Sequence, residues 1–265
     1  MVIKKLINKS VYGTIGYVSS IRDLEILEQY ILYNINVLKE FKQIIIATNY
    51  NNFDSFKEIN KSIWEKYFPN CILLDSHTNR GHNHGNADLD NILFDYCKNN
   101  NIEWLCKSAN DIILNESLLD KEIEDADFYY FNGIGYGGLI KYDFDFNQIV
   151  KEDFYPQTNF YLINVNKTDY LNDKLYLDET YNYIKNISNY NGKIWEYIPN
   201  WSCEDFLKKC IERNNLSKFH LIPQEKYLSL LQIIKDFNIH DCSHKNIMIE
   251  NVCHYPHHEQ QIIEL

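Results

Sequence analysis

The chain has 265 residues, 45% of them hydrophobic and 24% charged, with 21 Tyr, 14 Phe and 4 Trp against 9 Gly and 5 Pro. That much apolar material offsets chain entropy, which excludes disorder over most of the length, and no Gly- or Pro-rich linker divides the sequence. A formal net charge of −11 excludes a general affinity for nucleic acid or anionic lipid, because displacing counterions from phosphate needs clustered Lys and Arg.

Residues 1–13 mix Lys4, Lys5 and Lys9 into a short apolar stretch, without the long apolar core or the small-residue cleavage site of a signal peptide. Ile15–Ser19 is a short apolar run expected to be a strand, and the segment Ile21–Phe41 sets Leu24, Leu27, Ile31 and Ile35 at helical intervals. Gln43–Thr48 (QIIIAT) is almost continuously apolar, as a parallel strand covered on both faces should be, and ends in Asn49-Tyr50-Asn51-Asn52. A helix over Phe53–Tyr67, a buried strand Cys71–Asp75, a polar loop Ser76–Asn86, a helix Ala87–Lys98 and a strand Glu103–Lys107 follow. Beyond Asp127 the pattern turns strand-like and aromatic, continues through Phe160–Val165, and leaves helices expected over Asp178–Ile187 and Glu204–Arg213.

Strands separated by helices, each ending in polar residues, predict an α/β fold: an open, mainly parallel sheet flanked by helices, in one domain over 1–265. Its nucleotide-binding half would be 1–115 and its acceptor-binding half 116–265. Ligands of such sheets sit outside the carboxyl ends of the strands. No G-x-G-x-x-G opens the first helix and no G-x-x-x-x-G-K-[ST] occurs, so the usual dinucleotide and P-loop fingerprints are absent from the first strand–helix turn. Seven cysteines without a C-x-x-C spacing point to reduced thiols and a cytoplasmic chain, and no run is long enough to span a membrane.

Four stretches carry a resemblance to the GT-A fold glycosyltransferases, family 2-like, which use nucleotide-sugar donors. They are Gly16–Glu25 (GYVSSIRDLE), Asn79-Arg80-Gly81, Glu103–Leu114 (EWLCKSANDIIL) and Trp201–Asn215 (WSCEDFLKKCIERNN). Each is short, and together they run the length of the chain in the family's order. The resemblance implies transfer of a sugar from a nucleotide-diphosphate donor to a hydroxyl acceptor such as a glycan, with inversion. It implies Ser19, Arg22 and Asn49 near the nucleotide, and Asn79 and Arg80 near the diphosphate. It also implies a divalent metal, Mn or Mg, at Asn110 and Asp111, completed by a late histidine, His244 first and His254 second. Where the family carries D-x-D this chain has Ser108-Ala109-Asn110, and only Asp111 is acidic. Hard cations prefer carboxylate oxygens, so either the site is weaker or protein cations, Lys107, Arg22 and Arg80, balance the diphosphate instead.

Asp205, beside Glu204, is the candidate base: an acceptor hydroxyl must lose its proton as it attacks the anomeric carbon. The same pair also suits the first turn of a helix capped by Ser202, where carboxylates complement the macrodipole. Trp201 is the best-placed aromatic for stacking on a sugar, and the glycine cluster Gly133–Gly138 marks either a close ligand approach or a turn. The histidines admit a transition-metal site, although H-E-x-x-H is absent. Two other functions stay open: a nucleotidyltransferase on a similar sheet, for which the first strand's loop lacks a basic, Gly-rich character, and a degenerate sugar- or nucleotide-binding module without catalysis.

Overall fold

The computed structural model describes residues 1–16, 18, 21–50, 56–77, 80, 82–110, 112–114, 116–132, 140–142, 149–151, 154, 156–186, 203–221, 247–249, 252–254 and 263–264. A short helix α1 (Lys4–Ile7) precedes β1 (Val11–Ile15), α2 (Ile21–Leu38), β2 (Gln43–Thr48), α3 (Phe56–Tyr67), β3 (Ile72–Asp75), α4 (His82–Asn99) and β4 (Trp104–Ala109). Then come β5 (Ile112–Leu114), β6 (Phe128–Asn132), β7 (Ile140–Tyr142), β8 (Ile149–Lys151), β9 (Pro156–Asn164), α5 (Lys174–Lys185), α6 (Cys203–Arg213) and β10 (Lys218–His220). The last elements are β11 (Ile247–Ile249), β12 (Val252–His254) and β13 (Ile263–Glu264).

The main sheet has seven strands in the order β10-β6-β9-β4-β1-β2-β3. The run β4-β1-β2-β3 is parallel, β9 is antiparallel to both β4 and β6, and β10 is parallel to β6. This is an α/β fold with a mixed, mainly parallel sheet flanked by helices.

Alternation along the strands explains why their sequences read as unbroken apolar runs. Tyr12, Ile44, Ile46, Trp104, Cys106, Tyr129, Phe160 and Leu162 face one core with α1, α2 and α3; it also holds Leu27, Tyr30, Ile31 and Trp64. Val11, Ile15, Ile45, Ala47, Leu105, Phe128, Tyr161 and Ile163 face the other, with Leu89, Leu93 and Phe94 of α4 and Leu207, Cys210 and Ile211 of α6. A parallel sheet whose two faces are both buried has no room for alternating polar residues.

The smaller sheet, β13-β11-β12-β5, brings the end of the chain back to the strand that follows β4. Asn34 of α2 fixes that strand: its Oδ1 accepts from the Leu114 N–H at 2.5 Å and its Nδ2 donates to the Tyr30 carbonyl at 2.9 Å. The antiparallel register sets Cys253 opposite Ile113 and His254 opposite Ile112.

Several elements start elsewhere than the sequence predicts: α5 and β9 begin four residues early, at Lys174 and Pro156, and two further shifts have a packing cause. The first strand is Val11–Ile15, not Ile15–Ser19, because Gly13 in its middle is not a breaker. It is a close-packing site, where a Cβ would come 2.9 Å from Leu105 Cδ1 and 3.0 Å from Leu93 Cδ1. The helix expected from Ala87 begins at His82, taking in half of the expected polar loop, because buried His84 packs against Tyr181 and Phe206 rather than facing water. The C-terminal strands carried no readable sequence pattern. The glycine cluster Gly133–Gly138, expected to be a close ligand approach or a turn, lies outside the described residues.

Gly13→Val forces two branched methyls into that contact, and overpacking of this kind costs about 1–3 kcal/mol. Urea denaturation should show a lowered midpoint with an unchanged slope; an unchanged midpoint would contradict the packing described.

Candidate functional site

The parallel registers align the carboxyl ends of four strands. Ile15 pairs with both Ala47 and Ala109, and Thr48 pairs with Asp75, so Gly16, Asn49, Ser76 and Asn110 leave the sheet along one edge. Gly16 has no side chain to fill the space beside Asn110: a Cβ there would stand 2.8 Å from Asn110 Nδ2. Asn49 is buried, and among the described residues its Oδ1 has no hydrogen-bond partner. The Tyr50 hydroxyl accepts from the Val18 N–H at 2.8 Å and from Asn60 Nδ2 at 3.1 Å, pinning the chain after β1 to the end of β2. Asp75, closing β3, lies 2.6 Å from the Lys57 ammonium and accepts from the His77 N–H at 3.1 Å.

The antiparallel register Ser108↔Phe160 brings the first residues of β9 to the same edge. Thr158 there donates its hydroxyl to Glu204 Oε1 at 2.8 Å, so the first turn of α6, with Glu204 and Asp205, joins the edge. Beneath it lies a buried charged cluster. The Lys107 side chain is 1% exposed and that of Asp90 2%, with Nζ and Oδ1 3.4 Å apart. The Lys107 ammonium also donates to the Thr158 carbonyl, and the Tyr161 hydroxyl donates to Asp90 Oδ2 at 3.2 Å. Burial pushes the Asp90 carboxyl up, opposed by Lys107 and helped by nearby Glu204. Burial likewise raises the Cys203 and Tyr161 groups well above their ordinary values.

On the outer side of α4, Arg80 forks onto Asp88, with Nε to Oδ2 at 2.6 Å and Nη2 to Oδ1 at 2.5 Å, and its Nη1 donates to Asp178 of α5 at 2.5 Å. His84, one turn along the helix, has Nε2 3.1 Å from Thr180 Oγ1. Burial, and then the Arg80 charge, hold His84 down at about 4.

Of the residues predicted for the site, Asn49, Asn110, Glu204 and Asp205 come together along the carboxyl edge, or at the start of α6 beside it. Arg22 begins α2, immediately after the β1 loop. The structure places Lys107 differently from the sequence expectation: its ammonium is turned into the interior, where Asp90 and Thr158 hold it. Arg80 is committed to two carboxylates. Ser19, Asn79, Asp111, His244, Ser202 and Trp201 lie outside the described residues. Sequence reasoning ranked His254 second, yet β12 sets its backbone opposite Ile112, next to position 111. Thr158 and Asp90 were not singled out, since nothing in a lone Thr or a helical Asp signals a partner in another element.

Among the described residues no group of three or more His, Cys, Asp or Glu is arranged to hold a metal ion, and no helix is long and apolar enough to cross a membrane. Cys71, Cys97, Cys106, Cys203 and Cys210 are free thiols.

No family model and no curated protein matches the sequence. Among solved structures the chain is similar to a protein assigned as a nucleotide-diphospho-sugar transferase from Desulfovibrio desulfuricans G20, with 6% identity, a TM-score of 0.43, and coverage of 80% of this chain and 79% of that one. It is also similar to the nucleoside-diphosphate-sugar pyrophosphorylase from Vibrio cholerae RC9, with 11% identity, a TM-score of 0.42, and 84% and 99% coverage. HddC from Yersinia pseudotuberculosis is similar at 14% identity, a TM-score of 0.35, and 60% and 78% coverage.

Removing one partner of a buried ion pair strands the other. Lys107→Met should therefore cost about 3–5 kcal/mol in denaturant titrations, and adding Asp90→Leu should recover much of that loss. Equal losses in the single and double variants would contradict the pairing.

His84 makes a separate prediction. The unfolded chain takes up a proton near 6.5 that the folded chain refuses until about 4. Its contribution to stability is intact above the first value and lost progressively as pH falls towards the second. The melting temperature should fall less over that window in His84→Gln than in the wild type; parallel curves would contradict this.

Proposed function

We propose that the chain is a nucleotide-sugar enzyme that binds a nucleoside diphosphate sugar along the carboxyl edge of β1, β2 and β4. The observation carrying this reading is that edge itself: four aligned strand ends, a buried Asn49 oxygen lacking a partner among the described residues, and a glycine facing Asn110. A buried acceptor left unmade costs free energy, and a donor group on a nucleotide would satisfy it. A side-chain-free Gly16 lets the Asn110 amide pack against the backbone at this edge.

The reaction proposed at this edge is glycosyl transfer with inversion. The acceptor oxygen attacks the anomeric carbon, the bond from that carbon to the diphosphate oxygen breaks, and its electron pair leaves with the nucleoside diphosphate. The hydroxyl proton passes to the Asp205 carboxylate at the start of α6. Ser19, Arg22 and Asn49 are proposed for the nucleotide, and Asn79 for the diphosphate. A divalent cation, when bound, would be held by Asn110, Asp111 and a late histidine and would offset the charge of the leaving diphosphate. The β12 register favours His254 over His244 for that role.

One observation favours a second reading, a nucleotide- or sugar-binding module without chemistry. Lys107 and Arg80, two of the three cations that the sequence offers to the diphosphate, are both engaged by carboxylates of the chain itself. Nucleotidyl transfer would use the same edge, with attack on phosphorus and release of pyrophosphate, and the products distinguish it.

Thermal unfolding against UDP, GDP and their hexose conjugates, with and without Mn or Mg, tests the binding. A ligand at a hundred times its Kd stabilises the folded chain by about 2.7 kcal/mol. No shift with any of them would overturn the nucleotide reading. With a binding donor identified, nucleoside diphosphate release should be lost in Asp205→Asn at unchanged melting temperature. Wild-type turnover in that variant would remove Asp205 from the mechanism, pyrophosphate release would establish nucleotidyl transfer, and binding without turnover the module.

A further inference from the structure

The acidic pair opening α6 is not two equivalent carboxylates. Both oxygens of Glu204 are occupied: Oε1 accepts from the Thr158 hydroxyl at 2.8 Å, and Oε2 from the Cys203 thiol at 3.3 Å. Asp205, one residue on, projects about 100° further round the helix.

Thr158 is itself buried, and it holds two charged groups at once. Its hydroxyl binds Glu204 while its main-chain carbonyl receives the Lys107 ammonium. Lys107 is in turn 3.4 Å from Asp90, whose other oxygen accepts from Tyr161. One buried cation thus stands among carboxylates from α4 and α6, and Thr158 of β9 bridges it to the second. A buried ion pair is weak evidence for stability, since well-packed apolar residues often do as well. It does fix geometry, because each member has a satisfied direction and few alternatives.

We propose that Thr158 is a positioning residue for the reaction at this edge: through Glu204, and backed by the buried Lys107–Asp90 pair, it sets the orientation of the first turn of α6 and hence of Asp205. Glu204 is then an anchor rather than a second acid or base. The inference rests on the proposed transfer for its catalytic consequence, while the anchoring stands on the hydrogen bonds alone.

The test compares Thr158→Val, which keeps the shape and removes the donor, with Thr158→Ser, which keeps the donor. Amide hydrogen exchange over 203–207 should be faster in the Val variant and near wild type in the Ser variant; unchanged exchange in Val overturns the anchoring whatever the activity. Turnover is followed as UDP or GDP release from UDP-glucose, UDP-galactose and GDP-mannose. Misplacing a reacting group by a fraction of an ångström should lower kcat about tenfold or more in Val, with KM for the donor little changed and recovery in Ser. Wild-type kcat in a Val variant with faster exchange overturns the positioning role. Should Thr158→Val fail to fold, Glu204→Leu, which removes the acceptor of the Thr158 hydroxyl, should speed exchange over the same residues, and unchanged exchange there again overturns the proposal. If wild type releases nothing from any donor, the proposed transfer fails, and exchange alone still decides whether Thr158 anchors α6.

Discussion

The covering of both faces of the central parallel strands governs the rest of this molecule. With α1, α2 and α3 on one side and α4 and α6 on the other, β1, β2 and β4 have no solvent-facing side on which to display polar groups. Polar residues are displaced to the strand ends, and the parallel registers bring those ends to one line. The antiparallel β9 adds Thr158, and through it the start of α6, to the same line. An edge able to bind a polar ligand is therefore a consequence of how the sheet is buried.

Thr14 and Ser108 are small polar exceptions to that burial rule, and Lys107 is the charged one. Its side chain shares the face of Leu105, towards α4, where an isolated ammonium would be very costly. Asp90, the Thr158 carbonyl and, through Thr158, Glu204 make its position tenable. Interior electrostatics and the candidate site therefore share a residue, and a change made beneath the edge should be felt at it. Arg80 does a comparable task outside, tying α4 to α5 through Asp88 and Asp178, while the Asn91 side-chain amide, donating to the Asn172 carbonyl and accepting from its N–H, fastens α4 to the segment before α5 from within.

What the sequence revealed depended on whether the signal was local. Gln43–Thr48 was read with its observed bounds because an unbroken apolar run stands between polar residues. Glu204–Arg213 was read to within a residue because its apolar face is strongly periodic. Val11–Ile15 was displaced because the requirement for Gly13 lies in Leu93 and Leu105, side chains of other elements. The start of α4 was hidden because His84 is paid for by aromatic contacts from α5 and α6. For the same reason Lys107 read as a cation at a strand end: its spacing carries no trace of Asp90. The placement of His254 opposite Ile112 follows from strand pairing, which no motif encodes.

The central claim is that the aligned strand ends form the ligand site. Amide hydrogen exchange measured with and without saturating UDP or GDP tests it most directly, because it locates contact without requiring turnover. Protection should concentrate at residues 15–18, 48–50 and 108–110, with the amino-terminal end of β10 and the exposed face of α3 unchanged. Protection confined to those distant elements, with none along the edge, would contradict the account.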